Sequence, residues 1–199
     1  LKDSLFNFQL ISLDLKDYVN RIKIIKKNNS QIENNMKSTM ASIIKSFELS
    51  KDSDDLVYFV EDDYIHKIDS ISEMLFTYEK FSTVFKDELF IIPVDYPYLY
   101  QKNHSSNLLI GQNYHWRTVN ESLLTFLTSK IMINKYYNDL IKMGEVEHDP
   151  YETILHNIFD KEMCYSPIPS LALHCTNVNS IFGLSPNINF KKLWEDNKK

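Results

Sequence analysis

DDLVYFVEDDYIH, residues 54–66, sets the problem: five apolar or aromatic residues, Leu56 to Val60, run directly into three carboxylates, Glu61, Asp62 and Asp63. The apolar run is continuous rather than alternating, which predicts a strand buried on both faces, central and parallel in its sheet. Charge cannot continue into such a strand, because desolvating an unpaired carboxylate is too costly. The three acids are therefore expected just past its end, at the edge of the sheet.

The flanking sequence alternates helix and strand. Leu5, Phe8, Ile11, Leu15 and Val19 have helical spacing over residues 3–19, although Phe6–Leu13 also reads as a first strand. Arg21–Lys26 reads as a short strand and Asn28–Gln31 as loop. Met36–Leu49 reads as a helix with Met36, Met40, Ile43, Ile44 and Phe47 on one face. A helix capped by Asp69 or Ser70 runs to about Lys80, and strands follow at Leu89–Val94 and Leu108–Gly111. Glu121–Met143 reads as helical at least in part with Gly144 as its stop, and a further helix starts after Asp149-Pro150. The stretch from Ser166 is read as proline-punctuated loop, closed by a short helix near Phe190–Asp196. This order predicts an α/β sheet, in which ligands sit beyond the carboxyl ends of the parallel strands.

Composition narrows the function classes. A chain of 199 residues, 43% hydrophobic and 13% aromatic, predicts one domain with an ample core. Its three glycines, Gly111, Gly144 and Gly183, are too dispersed for a phosphate-cradling loop. A net charge of −5 and only two arginines, Arg21 and Arg117, argue against a nucleic-acid partner. Cys164 and Cys175 read as reduced thiols. No stretch approaches the ~20 apolar residues of a membrane span, and no signal peptide is visible, so the expected location is cytoplasmic.

Adjacent carboxylates repel one another, and a cation relieves that repulsion. Hard oxygen ligands suit Mg²⁺ or Mn²⁺, which keep several positions for water and substrate phosphates. The plainer alternative is a solvated acidic turn.

LVYFVEDDYIH resembles the DxD-type signature of nucleotide-sugar glycosyltransferases of the GT-A fold, in a branch related to the family 2 glycosyltransferases. PVDYPYLY at 93–100, HWRTVNESLLTF at 115–126, SPIPSLALH at 166–174 and LSPNINFKKLW at 184–194 fit that resemblance in the same order, over roughly residues 35–196. It implies a GT-A-like mixed, mainly parallel central sheet with helices on both faces, in a single domain spanning 1–199. A first strand carrying the nucleotide-binding loop is expected at the start; either Phe6–Leu13 plays that part or the sequence lacks it. The implied activity is metal-dependent transfer of a sugar from a UDP- or GDP-sugar to a hydroxyl of a glycan or other acceptor, with inversion.

The resemblance also assigns residues. Asp63, supported by Asp62, is the expected ligand of Mn²⁺ or Mg²⁺, and His174 completes the metal shell. Glu61 and Asp62 are expected at the donor; Arg117, read from its own chemistry, pairs the donor's phosphates or stands with Trp116 in the acceptor wall. Inversion needs a general base for the acceptor hydroxyl. The acidic stretch EVEHDPYE, 145–152, offers Asp149 first, with Glu147 and Glu152 open. Trp116, Asp95 and Tyr98 are expected to line the acceptor, although a tryptophan such as Trp116 is more often core than platform. Two other classes remain in view: a nucleotidyltransferase, and a non-catalytic sugar- or nucleotide-binding domain of the same fold.

Overall fold

A computed structural model of the protein describes residues 30–101, 103–144, 152–176, 178–185 and 187–198, with side chains in the first helix from residue 38. The helix at 3–19 with its alternative strand Phe6–Leu13, the strand Arg21–Lys26, and the candidate bases Glu147 and Asp149 lie outside the described residues.

The described elements run in the order α1 (Ser30–Ser50), β1 (Leu56–Phe59), β2 (Tyr64–His66), α2 (Ser70–Phe85), β3 (Phe90–Ile91), β4 (Leu108–Ile110), β5 (His115–Thr118), β6 (Phe126–Ser129), α3 (Lys130–Leu140), α4 (Thr153–Phe159), β7 (Cys164–Ile168), β8 (Ala172–His174) and α5 (Phe190–Asp196). Six strands form one sheet in the order β1-β6-β3-β7-β5-β4, and β2 and β8 form a separate ribbon. The chain is thus a mixed α/β fold.

Helices do cover both faces, as successive side chains of β3 show. Phe90 and Ile92 pack with Ile43 and Phe47 of α1, Met132 and Leu140 of α3 and Leu155 and Ile158 of α4. Leu89 and Ile91 pack the opposite way, against Met74, Tyr78 and Phe81 of α2. Period-two alternation of the strand therefore feeds two cores at once.

The expectation of a mainly parallel sheet is corrected. Among the described strands only β3–β7 is a parallel pair; β1–β6, β3–β6, β5–β7 and β4–β5 are antiparallel. Nor is β1 central: among the described strands it pairs with β6 alone, at the sheet's edge, and its four residues are half-buried. The apolar run still has a reason. Leu56 and Tyr58 pack toward α2, while the Phe59 ring lies 5.0 Å from Phe47 and 4.9 Å from Phe126. Unbroken apolarity reports that both faces are covered; it carries no information about the direction or number of neighbouring strands.

Two further readings are refined. Within Glu121–Met143 the helical part is Lys130–Leu140, continued by a 3-10 turn to Gly144, and Phe126–Ser129 before it is strand. Ser129 caps that helix by accepting the Met132 N–H at 3.2 Å. The stretch from Ser166 is also more than loop, since β7 runs to Ile168 and lies inside the sheet. Pro167 is tolerated there because the parallel pairing with β3 involves only Cys164 and Tyr165, so at Pro167 the strand is laddered to β5 alone.

Candidate functional site

The acidic triplet leaves β1 as a tight connection into β2. The Glu61 N–H donates to Thr125 Oγ1 at 3.2 Å, which fixes the start of the connection beside β6. Asp62 is exposed at the turn, and Asp63 is half-buried. β2 then pairs antiparallel with β8 in a register that sets Tyr64 opposite His174, Ile65 opposite Leu173 and His66 opposite Ala172. The ladder extends one step further, the Cys175 N–H donating to the Asp63 carbonyl at 2.7 Å. Two sequence segments more than a hundred residues apart are thereby locked side by side at the end of β1.

That register brings His174 Nε2 to 2.9 Å from Asp63 Oδ2. The Tyr64 ring stacks on the imidazole at 4.8 Å and 17°, and the Tyr64 hydroxyl is tied to that of Tyr96 at 2.6 Å. On its other side His174 Nδ1 lies 3.3 Å from the Phe182 carbonyl. A carbonyl only accepts, so Nδ1 is the donor in this contact, and Nε2 is the ring nitrogen that faces the carboxylate. At 2.9 Å either a proton carried on Nε2 or a metal ion held by both atoms joins the imidazole to the carboxylate. The donor set, one carboxylate and one imidazole, fits Mn²⁺ better than the harder Mg²⁺. Among the described residues no group of three or more His, Cys, Asp or Glu converges on one point; Asp63 and His174 meet as two side chains.

Glu61 is the most perturbed acid of the cluster. Burial, then the charges of Asp63, Glu152 and Asp62, push its carboxyl up to about 7, with the Tyr64 hydroxyl pulling the other way. The same interaction locates Glu152. It sits at the start of α4, half-buried, with its charge felt at Glu61. Of the three candidate bases it is the one within the described residues, and it stands on the side of the acidic turn.

The expected acceptor and donor residues are arranged differently from their separate assignments. Asp95 and Arg117 bind each other, Nη2 to Oδ1 at 2.7 Å, with only 1% of the Asp95 side chain exposed. The Tyr100 hydroxyl donates to the other Asp95 oxygen, and the Arg117 guanidinium lies 4.2 Å over the Tyr100 ring. Arg117 is therefore already neutralised. Burial raises the Asp95 carboxyl although Tyr100 and Arg117 oppose it. Tyr98 is buried, stacked on Tyr96 at 5.4 Å and set against Phe182. Trp116 takes the core reading: it is fully buried and offers no open face to a sugar.

What holds Trp116 is a carboxylate that carries no sequence signal. Glu73, 1% exposed on α2, accepts from Trp116 Nε1 at 3.2 Å and from the backbone N–H groups of Gln112 and Asn113 at 3.0 and 2.9 Å. Gly111 is required beside it, because a Cβ there would lie 2.4 Å from Trp116 Nε1 and 2.5 Å from Glu73 Oε1. Thr176, whose hydroxyl donates to Asp63 Oδ2, is likewise absent from the residues that the sequence points to. Neither belongs to a motif; the β2–β8 register that places Thr176 is hidden because Ala172–His174 reads as loop.

Neither the protein-family models nor the curated proteins compared with this chain match it.

Proposed function

We propose that the chain is a metal-dependent glycosyltransferase that moves a sugar from a nucleotide-diphosphate donor to an acceptor hydroxyl with inversion. The observation that carries this reading is the pair Asp63–His174 at 2.9 Å, built by the β2–β8 ribbon at the end of β1. It joins the two segments, EDDYIH and PIPSLALH, on which the sequence resemblance rests.

In this reading Asp63 and His174 hold a divalent cation, Mn²⁺ in preference to Mg²⁺, with the exposed Asp62 beside them. When bound, the cation neutralises charge developing on the leaving diphosphate. The acceptor oxygen bonds to the anomeric carbon as the bond from that carbon to the diphosphate breaks, and a carboxylate of the 145–152 segment takes the hydroxyl proton. Glu61 and Glu152 flank the turn and raise the cost of leaving the site without a cation. The Asp95–Arg117–Tyr100 cluster lies on the β5 side, with the Arg117 guanidinium paired to Asp95 and set over the Tyr100 ring. No helix among the described residues is long and apolar enough to cross a membrane.

The test is a thermal-shift screen of UDP-, GDP-, CMP- and dTDP-sugars with and without Mn²⁺, followed by product analysis. The expected result is Mn²⁺-dependent stabilisation by one donor class and release of the nucleoside diphosphate. Asp63→Ala should abolish both. Turnover that survives Asp63→Ala, or pyrophosphate released from a nucleoside triphosphate, would refute the reading, the latter in favour of nucleotidyl transfer. Donor binding without turnover would favour a binding domain.

A further inference from the structure

We infer that Thr176 is a positioning residue of the metal pair: its hydroxyl sets the Asp63 carboxylate so that Asp63 and His174 present their ligand atoms together. The inference rests on the reading of those two side chains as metal ligands.

Thr176 donates to Asp63 Oδ2, the same oxygen that faces His174 Nε2 at 2.9 Å. The two contacts come from one short stretch of chain. His174 is the last residue of β8, Cys175 binds the Asp63 carbonyl through its N–H, and Thr176 turns back over the carboxylate. Main chain and side chain of Asp63 are thus gripped by consecutive residues. His174 is fixed in parallel by the Phe182 carbonyl and the stacked Tyr64 ring. A carboxylate otherwise rotates about its terminal bond, and ordering it lowers the affinity of any ligand that needs one orientation. Threonine suits the task because its β-branch restricts the side-chain rotamer and so aims the hydroxyl. Outer partners of this kind tune metal affinity, their loss weakening binding by about ten- to a hundredfold.

The experiment measures Mn²⁺ dissociation constants by electron paramagnetic resonance on the chelator-stripped protein, with no donor or acceptor present. Four proteins are compared: wild type, Thr176→Val, Thr176→Ser and Asp63→Ala. Thr176 is exposed, so each Thr176 variant should melt with the wild type when metal-free, and Thr176→Ala replaces Thr176→Val if that variant does not. The expected result is binding weakened about tenfold in Thr176→Val and restored to within about twofold in Thr176→Ser. Undiminished affinity in Thr176→Val, or equal weakening in Thr176→Ser, overturns the positioning role while Asp63→Ala still marks the metal site. If wild type binds no Mn²⁺, or Asp63→Ala binds as well as wild type, the metal reading falls and the positioning role falls with it.

Discussion

Replacing Glu61 by Gln should make the metal-free protein more stable at alkaline pH, by an amount the site itself sets. Glu61 is half-buried between Asp63, Asp62 and Glu152, and its carboxyl is raised from an ordinary 4.5 to about 7, chiefly by burial. A raised folded value means that the native state binds this proton more tightly than the unfolded chain does. The stability it confers is full below pH 4.5 and is lost as pH rises through 7. A gap of about 2.5 pH units at ~1.36 kcal/mol per unit gives about 3 kcal/mol as a ceiling, and residual solvent contact reduces this to about 2 kcal/mol. Gln cannot ionise, so the variant lacks this descent. Urea unfolding in chelator between about pH 5 and 8.5, followed by tryptophan fluorescence, measures both curves. Near pH 5 the two proteins should differ little, and above about pH 8 Glu61→Gln should be the more stable by about 2 kcal/mol. Curves that stay parallel across the range would show that the acidic turn carries no stored repulsion, and would remove the electrostatic reason for a cation at that place.

Glu73→Ala should destabilise the fold by about 3 kcal/mol or more, because Gln112 N–H, Asn113 N–H and Trp116 Nε1–H lose a buried charged acceptor; equilibrium unfolding reads it, and Trp116 fluorescence should move to the red. Arg117→Ala should cost about 3 kcal/mol by leaving Asp95 charged and buried, and the double variant with Asp95→Asn should recover part of that loss, a double-mutant cycle giving the coupling. His174→Ala should leave the metal-free melting temperature within a few degrees of wild type while abolishing Mn²⁺-dependent stabilisation, measured by thermal shift. Phe126→Ala, at the contact of Phe59 and Phe90, should cost about 4 kcal/mol in denaturant titrations.

Residue order alone makes a good deal of this fold legible. Helical spacing names the buried face of α1, where Met40, Ile43, Ile44 and Phe47 are all core. The run Leu56–Val60 announces a strand with apolar neighbours on both faces, although the strand stops at Phe59, is half-buried and leaves Val60 exposed, and Glu61, Asp62 and Asp63 announce that it ends at a polar edge. These are local statements, and the local period of apolar residues is enough to make them. Pairing direction is another matter. Nothing in LVYF distinguishes the antiparallel neighbour β6 from a parallel one, and β6 itself is hidden in a stretch read only as partly helical, with no strand marked in it. The candidate site divides in the same way. Asp63 and His174 are each legible as residue types suited to a cation, but their contact, the proton placement enforced by the Phe182 carbonyl, and the grip of Thr176 on Asp63 Oδ2 follow from one strand register. Arg117 shows the same division: its charge is legible in the sequence, and its partner Asp95 is not. Chemistry of a side chain is written in its own residue; which partner meets it depends on chain segments far apart in sequence, and only tertiary packing brings those together.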